Sequence, residues 1–139
     1  MERSLVLIKP DAIQRGLAGT IISRLEKRGL KLVALKIFHL DKALAKRHYA
    51  IHAGKPFFKG LVNYISSAPI IAAIFEGVGA VEVIRKLMGA TDPAQAEAGT
   101  IRGDFGLDIE RNTIHGSDSV ETAEEEIRLF FSENEIFSY

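Results

Sequence analysis

The chain has 139 residues, of which 47% are hydrophobic, and its 18 basic and 18 acidic side chains give a formal net charge of zero. This length and composition predict one domain over residues 1–139 with a packed core. Zero net charge argues against a general attraction to nucleic acid or membrane surfaces, and the absence of cysteine excludes disulfides and thiolate metal ligands. No apolar run approaches the roughly 18–20 residues of a membrane span, and the N-terminus lacks the layout of a signal peptide, so we expect a cytoplasmic protein.

Hydrophobic periodicity and turn residues divide the chain into strands and helices. The predicted elements, in chain order, are a strand over 5–8, a helix over 18–28, a strand over 30–40, helices over 41–52 and 56–66, a strand over 69–75, a helix over 80–88, a loop over 90–111, a strand over 113–115 and a helix from Asp118 or Ser119 to Phe131. This order contains two split βαβ halves. It predicts an α+β fold of the ferredoxin-like type, in which helices pack on a four-stranded antiparallel sheet.

A polar junction lies between the last predicted strand and the last predicted helix. Residues 112–119 read NTIHGSDS, so His115 ends the strand and is followed by glycine, hydroxyl and carboxylate side chains. The N-terminus of a helix presents free N–H groups and a positive dipole end, which favours a phosphate near this histidine. The same residues fit an ordinary helix start, with Asp118 and Glu121 spaced as a capping box. The motif alone leaves both interpretations open, and capping accounts for more of its residues.

Glu126 is the second candidate, because it lies beside the inward stripe of the final helix, between Ala123 and Phe130. A carboxylate in such a place needs a partner, which could be a lysine, an arginine or a histidine ring. A carboxylate that holds one ring nitrogen leaves the other free as a nucleophile and stabilises positive charge on the ring.

Three basic side chains stand in unusual places. Lys9 ends an apolar strand, Arg85 lies in a mostly apolar helix, and Arg102 lies in a glycine-rich stretch. Each is more often a surface or ion-pair residue when it is considered alone. Phosphoryl transfer nevertheless needs such cations to converge on the transferred oxygens. No Walker A or Gly-x-Gly-x-x-Gly motif occurs, so a nucleotide would have to bind by another geometry.

The remaining histidines and aromatic residues give weaker signals. His39, His48 and His52 show no spacing that indicates partners, so we predict no metal site from them. Phe57, which follows Pro56, could stack a base, although aromatic residues at a helix start more often belong to the core.

Taken together, these motifs resemble the nucleoside diphosphate kinase family. Residues 112–119 match the pattern around the active-site histidine of that family, and the similarity runs from Ser4 to about Phe131. Four further segments match in the same order: LIKPD at 7–11, PFFKGL at 56–61, MGATDP at 88–93 and TIRGDFG at 100–106. The resemblance implies transfer of the γ-phosphate of a nucleoside triphosphate to a nucleoside diphosphate. The transfer would be a ping-pong reaction through phosphohistidine that balances the NTP and dNTP pools.

The resemblance also implies a role for each matching position. His115 would be the nucleophile, Glu126 would orient its ring, Ser117 would support Glu126, and Lys9 would complete the catalytic set. The implied nucleotide contacts are Lys9, Tyr49, Arg85 and Arg102 at the β- and γ-phosphates, Thr91 at the β-phosphate, Asn112 and Lys9 at the sugar, and Phe57 and Ile109 on the two faces of the base. Apolar base contacts of this kind imply a broad range of nucleotides.

Mg²⁺ is the implied cofactor, bound by the nucleotide phosphates without a direct protein ligand and reached by Asp118 through water. The implied partners are nucleoside di- and triphosphates and further copies of the chain, with a hexamer favoured over a tetramer. No specific nucleic acid and no membrane is expected as a partner.

Two positions depart from the family pattern, because Asp92 and Gly79 each stand where the family more often has asparagine. Residues 132–139 have no clear match. Two alternatives share the fold, namely a non-catalytic nucleotide-binding or scaffold relative and a regulatory module that binds a small ligand. The complete set of His115, Glu126 and three cations argues against the first, and the second does not explain the histidine motif.

Overall fold

A computed structural model describes all residues 1–139. The strands are β1 (Glu2–Ile8), β2 (Lys31–Phe38), β3 (Ile70–Gly77) and β4 (Ile114–Gly116). The helices are α1 (Pro10–Gln14), α2 (Ala18–Lys27), α3 (Lys42–His48), α4 (Phe58–Ile65), α5 (Ala80–Met88), α6 (Ile101–Phe105) and α7 (Val120–Phe130). Single turns of 3₁₀ helix occur at Ala50–His52, Pro93–Gln95 and Glu133–Glu135.

The four strands form one sheet in the order β2-β3-β1-β4, and every neighbouring pair is antiparallel. Helices cover both faces. One core cluster joins the sheet to α3, α4 and α7, and the other joins it to α1, α2, α5 and α6. The predicted fold class is therefore confirmed.

The central strand β1 shows why its sequence is apolar without alternation. Leu5 and Leu7 belong to the first cluster, whereas Val6 and Ile8 belong to the second, and all four side chains are fully buried. Successive side chains of a strand point to opposite faces, so a strand covered on both sides must be apolar at every position.

The short strand β4 brings the histidine motif to the middle of the molecule. It pairs with the end of β1, with His115 opposite Leu7. Ile114 and Gly116 face α5, where a side chain on Gly116 would begin 2.5 Å from Met88 Sδ. Glycine therefore lets the strand approach α5, and the alternation turns His115 towards α3 and α7.

The segment predicted as a loop over 90–111 is the main difference from expectation. It contains α6 and a 3₁₀ turn, in which Thr100 Oγ1 accepts a hydrogen bond from Gly103 N and Asp92 Oδ1 accepts one from Ala94 N. These helices are too short for a visible hydrophobic period, and the same holds for α1, which the sequence analysis also missed. Asp92 acts here as a helix cap, a role that asparagine fills equally well.

Strand β2 contains a bulge between Leu32 and Ala34. The bulge interrupts the alternation of side chains along the strand, so that Val33 and Ala34 are both buried. Leu35 and Ile37 then point outward, with exposed fractions of 50% and 63%.

Gly79 provides a test of backbone strain. It precedes α5 with φ 63° and ψ 34°, a left-handed conformation that glycine and asparagine adopt more easily than other residues. No atom lies within 4 Å of the place where its side chain would begin. We expect Gly79→Ala to lower the free energy of unfolding by about 1 kcal/mol and Gly79→Asn to lower it by clearly less. Urea denaturation at 25 °C measures both changes, and an equal loss in the two variants would contradict the strain argument.

Candidate active site

A cleft of about 960 Å³ opens beside β4, between α7 and the segment that joins α3 to α4. All the side chains predicted for the site line it except Ser117, which is buried behind it. Those that line it are Lys9, Tyr49, Phe57, Arg85, Thr91, Arg102, Ile109, Asn112, His115, Asp118 and Glu126.

His115 and Glu126 form a hydrogen-bonded pair at the floor of the cleft. His115 Nε2 lies 3.0 Å from Glu126 Oε2 and 3.2 Å from Oε1. Because a carboxylate only accepts hydrogen bonds, the ring proton lies on Nε2 and the free lone pair lies on Nδ1. Nδ1 has no hydrogen-bond partner and is not buried, so this nitrogen is accessible from the cleft.

Ser117 holds the carboxylate from the other side. Its hydroxyl donates to Glu126 Oε1 at 2.6 Å, and its Oγ accepts the backbone N–H of Leu5 at 3.2 Å. Burial alone would raise the pKa of Glu126, but the hydrogen bonds from His115 and Ser117 outweigh it and hold this pKa below its usual value. Glu126 is therefore a buried carboxylate that stays ionised.

His48 is a member of the site that the sequence analysis missed, because its spacing along the chain indicates no partner. Its side chain is 1% exposed, its Nδ1 lies 3.5 Å from Glu126 Oε2, and its ring lies edge-on to the ring of His115 at 4.7 Å. Burial lowers the pKa of His48 to about 3, so the ring is neutral. With His115 and Glu126 it forms a group within 4.8 Å that a metal ion could also bind. No short-range sequence signal connects residues 48 and 126.

Lys9 lies at the end of β1 and is tied to the loop that precedes β4. Its Nζ donates to Asn112 Oδ1 at 2.7 Å, and Asn112 Nδ2 donates to the carbonyl of Thr91 at 2.9 Å. Both the oxygen and the nitrogen of the Asn112 amide therefore form hydrogen bonds within the chain. Burial, followed by the charge of Arg102, lowers the pKa of Lys9 to about 8.

The two arginines line the same cleft but are held differently. Arg102 is 6% exposed and donates to the carbonyls of Ile114 at 2.8 Å and Gly89 at 3.2 Å, without a carboxylate partner. Arg85 instead forms an ion pair with Asp118, with 2.7 Å between Nη1 and Oδ1. The predicted capping box of Asp118 and Glu121 was wrong. Ser119 caps α7, and its Oγ accepts the N–H of Thr122 at 3.1 Å.

Thr113 introduces backbone strain two residues before His115. Its φ is 73°, and it is the one residue other than glycine with a positive φ. Such a conformation costs of order 1–3 kcal/mol, because the branched side chain crowds the backbone. The Thr113 carbonyl accepts the N–H of Lys9 at 2.8 Å, which anchors the strained residue beside the site.

The end of the cleft that Phe57 and Ile109 line is apolar and open. Phe57 and Ile109 line it with exposed fractions of 51% and 63%, and the ring of His52 packs edge-on to Phe57 at 5.2 Å. Tyr49 lies deeper and is 9% exposed, and burial raises its pKa, so its hydroxyl keeps its proton as a donor.

Comparison with known proteins gives the family of the chain. Residues 2–136 match the family model described as nucleoside diphosphate kinase. The chain is 60% identical over 139 residues to a nucleoside diphosphate kinase of Dehalococcoides mccartyi, an alignment that covers 100% of this chain and 98% of that protein. The structure of a halophilic nucleoside diphosphate kinase from Halobacterium salinarum in complex with CDP is similar, with a TM-score of 0.97 and 50% identity over 99% of this chain and 92% of that one.

A nucleoside diphosphate kinase family protein from Babesia bovis is also similar in structure, with a TM-score of 0.97 and 43% identity over 100% of this chain and 94% of that one. The chain belongs to the nucleoside diphosphate kinase family. The resemblance seen in the sequence is thereby confirmed, and the activity of the chain is phosphate transfer between nucleotides. Kinases of nucleotides generally need a divalent metal ion. None of the helices combines the length and the hydrophobicity that a transmembrane span requires.

Removing the Ser117 hydroxyl should weaken the support of Glu126. We expect Ser117→Ala to lower the free energy of unfolding at pH 7 by about 1–3 kcal/mol, because a buried carboxylate loses a hydrogen-bond donor. The folded-state pKa of Glu126 lies below 4.5, so its ionised form stabilises the fold above that pH, and the contribution is lost as pH falls through the folded pKa. The difference between Ser117→Ala and the unchanged chain should therefore shrink in acid.

Urea denaturation at pH 7 and at pH 3 measures this difference. Ser66→Ala is the matched control, because its hydroxyl donates to a neutral acceptor, the carbonyl of Val62. A loss for Ser117→Ala that is independent of pH would mean that the hydroxyl does not act through the charge of Glu126.

Nucleotide affinity should depend on the proton of Lys9. The charged form, which attracts phosphate, predominates below pH 8 and is lost as pH rises through about 8. We expect the affinity for MgADP, measured by calorimetry, to fall above pH 8 by up to about tenfold per pH unit. Lys9→Arg keeps its charge over this range and should remove the decline, even if its affinity is lower at every pH. The same decline in both proteins would assign it to another group.

Proposed function

We propose that the chain transfers the γ-phosphate of a nucleoside triphosphate to a nucleoside diphosphate in two steps, through phosphorylated His115. One observation carries this proposal: Glu126 holds His115 Nε2 at 3.0 Å and leaves Nδ1 accessible in a cleft lined by Lys9, Arg85 and Arg102. A neutral imidazole is a nucleophile near pH 7 without a strong base.

In the first step the Nδ1 lone pair attacks the γ-phosphorus. A bond forms between nitrogen and phosphorus, the bond from phosphorus to the bridging oxygen breaks, and its electron pair leaves with the nucleoside diphosphate. The ring keeps its Nε2 proton and becomes positively charged, and the Glu126 carboxylate stabilises this charge. In the second step the terminal oxygen of another diphosphate attacks the same phosphorus. A bond forms between oxygen and phosphorus, the bond between phosphorus and Nδ1 breaks, and its electron pair returns to the ring.

The surrounding cations would stabilise the transferred group. Arg102 and Lys9 are held in place by carbonyl and amide oxygens and have no carboxylate within ion-pair distance, so phosphate oxygens would supply the missing negative charge. Arg85 would exchange its ion pair with Asp118 for one with the nucleotide. Tyr49 would donate its hydroxyl, and Thr91 would contact the β-phosphate.

Mg²⁺ is the metal that the donor set fits. Asp118 lines the cleft beside Arg85, and its side chain is 76% exposed. Mg²⁺ usually keeps several waters and binds one or two carboxylates together with substrate phosphates. Asp118 would hold the ion through water, and the ion would neutralise charge on the phosphate oxygens.

The remaining parts of the proposal concern the base, the sugar and the assembly. Phe57 and Ile109 would enclose the base, and Asn112 would reach the sugar from its position between Lys9 and Thr91. A single kinase domain over 1–139, a cytoplasmic location and a role in balancing NTP and dNTP pools stay predictions. A homo-oligomer is supported by the exposed apolar side chains on the edge strand β2, and its hexameric state also stays a prediction.

Brief incubation with γ-labelled ATP and Mg²⁺ tests the phosphohistidine. We expect a label on the protein that is stable in base and labile in acid, and that passes to added GDP. His115→Asn should abolish it, whereas His39→Asn should keep it, because His39 contacts the Ser66 carbonyl and does not line the cleft. Label and turnover in His115→Asn would contradict the mechanism. Nucleotide-dependent stabilisation without label in the unchanged chain would support a non-catalytic scaffold instead.

A further inference from the structure

Glu110 is a charged side chain in the cleft that the proposed transfer does not use. It lies in the loop before β4, directly after Ile109, and lines the cleft. Apart from the neighbouring residues of Gly60 and the backbone of its own helix, Glu110 Oε2 is the one atom that lies within 4 Å of the place where a side chain of Gly60 would begin, at 3.6 Å. Gly60 follows Phe57 by three residues and so lies one helical turn away on the same side. The Glu110 carboxylate is therefore at the base end of the cleft.

No positive side chain neutralises this carboxylate. The adjacent Arg111 donates from Nε and Nη2 to Asp108 Oδ2, at 2.9 and 2.6 Å, and is therefore already paired. Asp108 Oδ1 also accepts the backbone N–H groups of Glu110 and Arg111, at 3.1 and 2.7 Å. These four contacts hold the loop in one tight turn, whereas the side chain of Glu110 forms neither a hydrogen bond nor an ion pair.

The charge of Glu110 also acts inside the cleft. Burial lowers the pKa of Lys9, and the charge of Glu110 opposes this change. A negative side chain in a cleft that binds polyphosphates is unfavourable for the phosphates themselves. Because Glu110 lies at the apolar end of the cleft, we expect its carboxylate to contact the base.

We propose that Glu110 is a specificity-determining residue whose carboxylate favours guanine over other bases. The proposal rests on the proposed function, because it requires a base between Phe57 and Ile109. Guanine carries the N1–H and N2–H donors side by side on one edge, and the two oxygens of a carboxylate can accept both. Adenine and cytosine offer one amino group beside an acceptor nitrogen. Uracil and thymine place one N–H between two carbonyl oxygens, which a carboxylate repels.

GDP and IDP provide a matched pair of probes, because they differ only in the 2-amino group. We expect calorimetric titration of the full, unphosphorylated chain to give a dissociation constant about tenfold lower for MgGDP than for MgIDP. In Glu110→Gln the ratio should fall to about twofold or less, because the amide offers one acceptor and no charge. Glu110→Ala should remove the ratio altogether.

Glu125→Gln is the control, because Glu125 also lines the cleft but lies on α7. It removes the same charge and should leave the ratio unchanged. A ratio near one in the unchanged chain, or an equal ratio in Glu110→Gln, would overturn the proposal. Labelling of His115 in the same preparations distinguishes a failure of the role of Glu110 from a failure of the proposed function. Labelled protein without base preference rejects only the role of Glu110, whereas unlabelled protein rejects the proposed function.

Discussion

The hydrogen bond between His115 and Glu126 is the interaction on which the organisation of the site depends. It joins the last strand to the last helix and fixes which ring nitrogen carries the proton. A buried carboxylate would be costly without donors, and the structure supplies them from His115 and from Ser117. Pairing of β4 with β1 and packing of α7 on the same sheet bring these three groups together. The fold therefore serves chiefly to hold one imidazole in one tautomer.

Several unfavourable features are concentrated around this pair. Lys9 and Arg102 are nearly buried and lack carboxylate partners, Thr113 adopts a strained backbone, and His48 is a buried neutral ring without a hydrogen bond that meets normal geometry. Each of these costs free energy of folding, which the two core clusters on the faces of the sheet must offset. A bound polyphosphate would pair with the cations, so part of this cost would be recovered on binding.

Much of the fold follows from local patterns. The unbroken apolar run of β1 indicates a strand covered on both faces, and the helical spacing of Ala123 and Phe130 places both on the buried face of α7. Val120 shares that spacing but is 43% exposed. Short elements escape such reasoning, because α1 and α6 have five residues each and do not complete two turns. The choice between Asp118 and Ser119 as the cap of α7 also lay beyond the sequence. Both side chains suit that position, and the nearby Arg85 draws Asp118 away.

The sequence by itself determined the class of chemistry, because the NTIHGSDS motif and four ordered segments identify the family. It also predicted residues that the structure brings together around one cleft. Only the tertiary structure decided their arrangement: which nitrogen of His115 is free, that His48 packs against it, that both polar atoms of the Asn112 amide form hydrogen bonds, and that Glu110 lines the cleft near Gly60. The physical reason is that these contacts join residues far apart in sequence. Their distances depend on strand pairing and helix packing, which local spacing does not encode.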